Sequence, residues 1–316
     1  MATHRGTVLR YCILESSLTF CLKIMKNLEA ETEKNSGIFK CIPCTVCNSD
    51  SYRWVELPKA ILFRCIECAH CFTDVSSIAK AETYGSKYYQ ETHKNWFANP
   101  NYALFSELAS ELSFYRSRSV LDVGCGNGAL LKYLAEGSGS LSLQGIDLSD
   151  AASSIAGIEF RQGDFLTCDF QKRFDAVITL AVIEHLYDVA SFVRRIHELL
   201  NKDGIACIMT LNESGVLYEF ASLLRKIGVL SVFIRLYDPH HINHFSRESL
   251  VKLLTRDGLF RVRRIIDHNT PLAAIDIPVS GSAMKLLMKL GVAVVFFLGK
   301  ITNKSYLQTI VVTKVG

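Results

Sequence analysis

The stretch VLDVGCGNG, Val120 to Gly128, joins an apolar run to a turn that is rich in glycine. The next residues, NGALLKYLAEG, carry leucines at helical spacing and end at Gly137, a residue suited to the C-terminus of a helix. A strand, a tight turn and a helix are therefore predicted in that order. Further apolar runs alternate with helical segments, and this alternation predicts an α/β fold with a doubly wound, mostly parallel sheet.

The predicted sheet has seven strands. Five come from SVLDVG, LSLQGIDLS, IEFRQGDF, FDAVITLAVIEHL and IACIMTLN, and two late ones from FRVRRIIDH and YLQTIVVTK. A short hairpin of the two late strands would make one edge antiparallel. Gly204 is expected to end the helix that begins in DVASFVRRIHELL. We divide the chain into a helical and linker segment (1–37), a small cysteine-rich module (38–75), a helical connector (76–117) and the sheet domain (118–316), with a helical cap inserted at about 213–240.

The glycine turn is compatible with two nucleotide cofactors. Gly124, Gly126 and Ala129 satisfy the G-x-G-x-x-G/A fingerprint of a dinucleotide-binding turn. Asp122, however, lies two residues before the first glycine, where its carboxylate would repel a pyrophosphate in a site of reduced dielectric. S-adenosylmethionine carries an ammonium and a sulfonium, which a carboxylate attracts. We therefore interpret the turn as a site for S-adenosylmethionine, where glycines let the backbone approach the methionine moiety.

Two more acidic residues end the strands that follow. Asp147 lies 23 residues after Gly124, about where this kind of fold places the carboxylate that accepts hydrogen bonds from ribose hydroxyls. Asp164, in QGDF, can accept a hydrogen bond from an adenine amine, and Phe165 can pack on the ring. The position of Asp147 suits both cofactors, whereas a dehydrogenase has no particular need of the pair at 164 and 165.

The order and spacing of VLDVGCGNG, GIDLS, RQGDF, FDAVITLAVIEHL and LLNKDG resemble the class I S-adenosylmethionine-dependent methyltransferases. The resemblance is close from Ser119 to about Leu211, and it implies a Rossmann-like fold. It assigns the methionine part of the cofactor to Asp122, Gly124 and Gly126, the ribose to Asp147, the adenine to Asp164 with Phe165, and the floor beneath the departing methyl group to Leu180 through Val182.

Two local motifs bear on the acceptor. IEHL, residues 183–186, is similar to the Glu-His segment of a small-molecule branch that includes ubiquinone-pathway O-methyltransferases. The tetrapeptides NPPY and DPPY, which N-methyltransferases of DNA bases and of glutamine use, do not occur in the sequence. Both motifs favour a small-molecule acceptor.

Six of the 11 cysteines fall between residues 41 and 71. Two C-x2-C pairs are separated by 17 residues, a spacing typical of a zinc site, and four thiolates would form a closed, structural centre. Cys41 and Cys71 extend each pair at the same spacing, so spacing alone leaves the register open. CTVCNS and RCIECAHCF resemble the zinc-knuckle module that precedes the methyltransferase domain in many bacterial proteins, including sugar C-methyltransferases. That resemblance favours the inner four ligands, Cys44, Cys47, Cys65 and Cys68.

Methyl transfer to a hydroxyl or a carbon acid needs an aligned acceptor and a base with a pKa near neutrality, and histidine suits this role. His185 follows the fourth strand, at the edge of the sheet where ligands bind in such folds. DPHHINHFS resembles the EHLSYFS segment of the sugar C-methyltransferases, and on that match the base is His241. His240 and His244 replace the Glu and the Tyr of that segment, which puts the acceptor in doubt. His185 and His241 are the candidate catalytic residues.

Composition restricts the partners. A net charge of +4 on 316 residues is too weak to indicate nucleic acid, and residues 38–75 hold four basic and four acidic side chains, which disfavours RNA.

The apolar run at 290–298 is shorter than the roughly 20 residues of a membrane span, so we expect a core or cap helix there. Residues 1–27 lack the pattern of a signal peptide. Clustered cysteines in a long chain indicate a metal in a reducing compartment, which predicts a cytoplasmic protein. Tyr88 and Tyr89 are expected to border the pocket that binds the cofactor.

The primary prediction is methyl transfer to an oxygen or carbon of a small molecule such as a sugar nucleotide. An RNA methyltransferase that binds RNA through the zinc module is one alternative. A methyltransferase for a lipid-linked acceptor, touching a membrane with residues 216–236 and 285–299, is another. A cofactor-binding scaffold without catalysis is the third, although the intact set of cofactor residues argues against it. The sequence leaves the oligomeric state open.

Overall fold

The computed structural model describes residues 42–78, 94–137, 139–153, 155–276 and 281–316. The predictions for residues 1–37, Cys41, Tyr88 and Tyr89 lie outside the described residues. The strands are β1 (Ser51–Leu57), β2 (Ala60–Cys65), β3 (Cys71–Thr73), β4 (Ser119–Val123), β5 (Ser142–Asp147), β6 (Glu159–Gln162), β7 (Phe174–Leu180), β8 (Leu200–Leu211), β9 (Asn243–His244), β10 (Phe260–His268) and β11 (Leu307–Lys314). The helices are α1 (Lys94–Ala98), α2 (Tyr102–Phe114), α3 (Ala129–Gly137), α4 (Val189–Leu199), α5 (Val216–Lys226), α6 (Ser231–Leu236), α7 (Arg247–Thr255) and α8 (Ser282–Ile301).

A seven-stranded sheet has the order β10, β11, β8, β7, β4, β5, β6. The strands from β6 to β8 pair in parallel, whereas β11 pairs antiparallel with both β8 and β10. Six strands therefore run in one direction and only β11 is reversed. The seven-stranded, mostly parallel sheet predicted from the sequence is confirmed.

The two faces of this sheet are covered by different helices. One core cluster includes Leu108 of α2 and Leu131 of α3, and the other includes Phe192 of α4 and Leu250 of α7. The central strands β4, β7 and β8 are almost wholly buried, as expected of parallel strands with helices on both sides. Helices on both faces make the sheet doubly wound and the fold Rossmann-like.

Two local predictions are wrong. Helix α4 ends at Leu199 and β8 begins at the next residue, so Gly204 lies inside the strand instead of ending the helix. A Cβ at Gly204 would lie 3.1 Å from the carbonyl oxygen of Asp175 on β7, so close approach of the two strands favours glycine there. The late strands also do not form a short hairpin, because α8 lies between β10 and β11.

The cysteine-rich segment builds a second, antiparallel sheet in the order β1, β2, β3, β9. Strand β9 comes from the histidine-containing loop of the sheet domain, and pairs with β3 through Cys71↔His244 and Phe72↔Asn243. Residues 42–316 consequently form one compact unit. The helical cap predicted at about 213–240 is represented by α5 and α6.

Candidate functional site

The glycine turn follows β4 at the carboxyl edge of the sheet. Gly124 and Gly126 have φ values of 71° and 53°, in the left-handed region that favours glycine. A Cβ at Gly124 would lie 2.3 Å from Cγ2 of Val182, and one at Gly126 would lie 2.8 Å from Cε1 of Phe97. Both the backbone conformation and the close neighbours therefore require glycine at this turn.

Asp122 is buried in β4, immediately before this turn. Burial, together with the nearby charge of Asp147, raises the pKa of the Asp122 carboxyl to about 7. A cationic ligand at the turn would favour its ionised form, since opposite charges attract strongly where water is excluded. The turn therefore suits a positive group better than a phosphate, and the contact of Asp122 with the methionine part of the cofactor stays a prediction.

Asp147 ends β5 beside the turn. Its Oδ2 accepts a hydrogen bond from the backbone N–H of Gly126 at 2.8 Å, and its Oδ1 accepts from the backbone N–H and the hydroxyl of Ser149, both at 2.8 Å. A carboxylate oxygen has more than one acceptor position, so these bonds do not by themselves prevent Asp147 from accepting a ribose hydroxyl. The same carboxylate holds the loops after β4 and β5 together.

The pair predicted to contact adenine separates in the structure. Asp164 is exposed and its Oδ1 accepts from the backbone N–H of Leu166 at 2.9 Å. Phe165, only 6% exposed, packs at 5.3 Å against the ring of Phe192 in the core. Phe165 thus contributes to the core, and its contact with adenine stays a prediction. Leu148, which follows Asp147 and is 54% exposed, is a further candidate for an apolar wall.

Leu180 ends β7 opposite the glycine turn, and the chain then changes direction. Ala181 has a φ of 55°, an uncommon conformation for a residue with a side chain, and its N–H donates to the carbonyl of Met209 at 3.1 Å. This bend brings Val182 against Gly124. Val182, one of the predicted floor residues, therefore borders the turn, whereas a contact between Leu180 and the methyl group stays a prediction.

The two candidate bases lie side by side. The ring centroids of His185 and His241 are 4.9 Å apart, and Nδ1 of His185 is 2.8 Å from the carbonyl oxygen of His240. A carbonyl oxygen only accepts, so Nδ1 carries a proton, and in the neutral ring Nε2 keeps the lone pair. The sequence offered these histidines as bases in two separate segments, and the structure brings the two side chains together; which of them acts as a base stays a prediction.

Glu184 completes this group. Ligand atoms of Glu184, His185 and His241 all lie within 4.8 Å of one another. Burial raises the pKa of Glu184 to about 7, and Oε2 accepts the hydroxyl hydrogen of Thr210 at 2.8 Å. One carboxylate and two imidazoles can relay a proton, and they are also donors that a divalent cation accepts. The sequence reasoning noted Glu184 only as part of IEHL.

His240 and His244 have structural surroundings. The Nδ1 atom of His240 is 2.7 Å from Oδ1 of Asp238. His244 is fully buried beside Tyr237, and burial lowers the pKa of His244 to about 3. His244 therefore stays neutral throughout the physiological pH range and lies in the core, so it is unsuited to act as a base that exchanges protons with solvent.

The four inner cysteines converge at one point. The Sγ atoms of Cys44 and Cys68 are 3.6 Å apart, and those of Cys47 and Cys65 are 3.4 Å apart. Tetrahedral Zn–S bonds of about 2.3 Å place sulfur atoms about 3.8 Å apart, so these distances fit a zinc ion. Cys71 lies outside this group, and burial raises the pKa of its thiol well above the ordinary value.

Asn243, in β9, links the cysteine-rich segment to the histidine turn. Its side-chain Oδ1 accepts from the hydroxyl of Thr45 at 2.8 Å, and its Nδ2 donates to the carbonyl of Leu186 at 2.7 Å. The backbone N–H of Thr73 donates to the carbonyl of Ile242 at 2.8 Å. The segment that carries His241 is therefore anchored on the cysteine-rich sheet. Sequence reasoning missed Asn243, since only these long-range contacts reveal its role.

The family described as "Methyltransferase domain" matches residues 91–262, which is more than half of the chain and leaves out the cysteine-rich segment. The ubiquinone biosynthesis O-methyltransferase of Pseudomonas paraeruginosa is 29% identical over 160 residues, covering 47% of this chain and 67% of the relative. The enzyme of that name from Azorhizobium caulinodans is 33% identical over 120 residues, covering 35% of this chain and 47% of the relative.

A solved chain from the complex between the Trm112 methyltransferase activator and a methyltransferase of Haloferax volcanii is similar in fold. Its TM-score is 0.52 at 14% identity, with coverage of 75% of this chain and 100% of that chain. At this identity the similarity concerns the fold alone.

Proposed function

Because the chain belongs to the methyltransferase-domain family of S-adenosylmethionine-dependent enzymes, we propose that it transfers a methyl group to an oxygen or carbon of a small molecule. The acceptor class that we propose is a sugar nucleotide or a similar biosynthetic intermediate. The observation that carries this proposal is the pairing of His185 with His241 at the carboxyl edge of the sheet, where the glycine turn also lies. A base at that edge is needed for a hydroxyl or carbon acid.

The residues around the glycine turn suit the proposed cofactor. Asp122 would attract the ammonium and sulfonium, Gly124 and Gly126 would admit the methionine part, and Asp147 would accept from the ribose. Asp164 would accept from the adenine, while Leu180 would border the methyl group. When bound, S-adenosylmethionine supplies an electrophilic methyl group on a sulfonium.

The histidine pair supplies the proton transfer. His185 is oriented by its Nδ1–H bond to the carbonyl of His240, so Nε2 takes the proton as the acceptor oxygen or carbon forms its bond to the methyl group and the S–CH3 bond breaks. Glu184 would stabilise the resulting imidazolium once ionised. His241, the other member of the pair, is the second candidate base, and substitution of each histidine in turn distinguishes them.

For the cysteine cluster we propose one structural zinc ion held by Cys44, Cys47, Cys65 and Cys68. Four sulfur ligands leave no open coordination position, so the ion would stabilise the fold and take no part in the reaction. Reduced thiolates suit the cytoplasm, the compartment that we propose.

The RNA alternative is weaker because both arginines of the cysteine-rich segment are engaged. Arg64 lies 4.0 Å above the ring of Trp54 and donates to Glu213 at 2.5 Å. Arg53 pairs with Glu56. A segment that recognises RNA needs free basic and aromatic groups, so a small-molecule acceptor fits better.

Calorimetric titration with S-adenosylhomocysteine, with NAD as the control ligand, tests the cofactor. We expect binding of the first only, weakened about tenfold or more in Asp147→Ala because the turn loses its carboxylate. Asp150→Ala, at an exposed acidic residue of the next loop, is the matched control and should bind normally. Binding of NAD alone would overturn the proposal. A positive result would then be followed by methyl transfer from labelled cofactor to nucleotide sugars and to small phenols.

A further inference from the structure

Helix α8 is the most unusual surface element among the described residues. It spans 20 residues with a mean hydropathy of 1.7, yet only 11% of its most apolar stretch is buried. Its exposed large apolar side chains are Met284, Leu286, Leu287, Met288, Leu290, Val294, Phe297, Leu298 and Ile301. By length and composition alone the helix could cross a membrane, so the shorter run at 290–298 that the sequence suggested as a core or cap helix is part of a longer, exposed element.

The connections of α8 exclude a single crossing of a bilayer. The strands before and after it, β10 and β11, are neighbours in one sheet, and His268 at the end of β10 pairs with Leu307 at the start of β11. A helix that crossed once would leave these two strands on opposite sides. The helix must therefore lie along one surface.

The charges on α8 are arranged for such a surface. With 3.6 residues per turn, the exposed apolar side chains occupy an arc of about 200°, and Lys285, Lys289 and Lys300 fall within about 60° of each other on another side. Phe296 and Gly299, which are the buried residues of the helix, lie on that same side. The wide apolar arc therefore points away from the protein, whereas the lysines lie on the side of the helix that packs against the protein.

The neighbouring cap extends this surface. The Nζ of Lys304 is 2.6 Å from Oε1 of Glu219 on α5, and the N–H of Val216 donates to the carbonyl of Lys304 at 2.9 Å. The cap exposes further apolar side chains, namely Phe220, Leu223, Ile227, Val229 and Leu230. It adds the basic residues Arg225, Lys226 and Arg235, whereas α8 itself contains no acidic residue.

We propose that α8, together with the α5–α6 cap, docks the protein on a bilayer surface that contains anionic phospholipid. The apolar arc enters the headgroup boundary. Lys285 and Lys300 lie about 60° and about 40° beyond the two edges of the arc, so their long side chains can extend to the phosphates, as can the arginines of the cap. A second copy would bring an equally basic helix against this one, whereas a bilayer with anionic phospholipid offers both an apolar phase and negative charge to a helix that has lysines and no acidic residue. This proposal is independent of the acceptor.

Co-sedimentation with vesicles tests the proposal. Vesicles of phosphatidylcholine alone are compared with vesicles that also contain phosphatidylglycerol, and the second kind should bind more protein. Leu287→Glu with Leu290→Glu should lower the partition coefficient about tenfold or more. Lys285→Gln with Lys289→Gln should lower it about fivefold per lysine, and only on the anionic vesicles.

Controls distinguish docking from misfolding and from other partners. Ile66→Glu, at an apolar side chain that is 64% exposed in the cysteine-rich segment, should bind vesicles normally, and all variants should still bind S-adenosylhomocysteine. Hydrogen exchange in residues 282–301 should become slower when vesicles are added than it is in the protein alone. The proposal is overturned if the Leu287/Leu290 variant binds vesicles as well as the wild type does, or if vesicles leave hydrogen exchange in α8 unchanged. It is also overturned if the protein self-associates through α8 and the Leu287/Leu290 substitutions abolish that self-association without lowering vesicle binding.

Discussion

Asp122 is a buried carboxyl with no side-chain hydrogen bond among the described residues, and its nearest charged neighbour is another carboxylate. Since its pKa is raised to about 7, the group is largely protonated below that pH and ionised above it. We expect the affinity for S-adenosylmethionine to rise from about pH 6 to about pH 8, because only the ionised form attracts the cation. Calorimetry at a series of pH values measures this dependence.

Asp122→Asn is the matching variant for that measurement. It should bind the cofactor about tenfold or more weakly at the upper pH and show a much flatter profile, since the amide does not titrate. A profile that stays steep in Asp122→Asn would assign the titration to another group, of which Glu184 is the first to examine.

The histidine pair can be resolved by single substitutions. Replacement of the true base by alanine should reduce kcat by about 10² to 10⁴, while the affinity for S-adenosylhomocysteine changes little. We expect His185→Ala to have the larger effect, because the Nδ1 bond to the carbonyl of His240 fixes its tautomer. His244→Asn, in the core beside Tyr237, serves as a comparison that should alter stability more than the pH–rate profile. Equal, small losses in both candidates would mean that no imidazole base is required.

At the scale of elements, the cysteine-rich sheet and the histidine loop are joined by the pairing of β3 with β9, so a change in one should affect the other. Cys44→Ser and Cys65→Ser should each lose zinc, measured by elemental analysis, and lower the unfolding temperature, because a closed sulfur site contributes directly to folding. Both should also lower kcat, since β9 loses the support of β3 and His241 shifts. Cys71→Ser, which removes a thiol outside the cluster, should retain about one zinc per chain. Full zinc content in Cys44→Ser would contradict the assignment.

The elements differ in how far the sequence predicts them. The β4–turn–α3 unit is specified locally, because buried residues, a positive-φ glycine and helical leucines follow one another within a few turns. The end of α4 is not specified locally, since Gly204 allows two strands to pack closely and does not end the helix. The packing of Phe165 against Phe192 could not be predicted, because an aromatic ring after a strand suits a core as well as a pocket. Asp122 and Asp147 lie near the carboxyl ends of β4 and β5, as the sequence predicted, because strand ends can be recognised locally; their contacts with a cofactor stay predictions.

For the whole molecule, two buried carboxyls set a dependence of stability on pH. The pKa of Asp122 rises from 3.8 and that of Glu184 from 4.5, both to about 7, so between these values the folded chain binds more protons than the unfolded chain. These two carboxyls therefore contribute stability that is lost as the pH rises from about 5 to about 7. The buried histidines His70, His244 and His268 have the opposite effect, because burial lowers their pKa values from 6.5 and the unfolded chain binds their protons more readily. Urea unfolding across that range should show stability rising more steeply with pH in Asp122→Asn with Glu184→Gln than in the wild type, and an unchanged slope would contradict the assignment to these carboxyls.

Strand β9 has a consequence for the order in which the chain is completed during synthesis. The cluster cysteines and strands β1 to β3 all precede residue 74, whereas the strand that closes their sheet ends at His244. A ribosome elongates the chain by about 5 to 20 residues per second, so many seconds separate the two. During that interval the four cysteines can bind a metal ion while the edge of β3 remains unpaired. The nascent chain would thus acquire its zinc before it acquires the histidine pair that the zinc-bearing sheet holds in place.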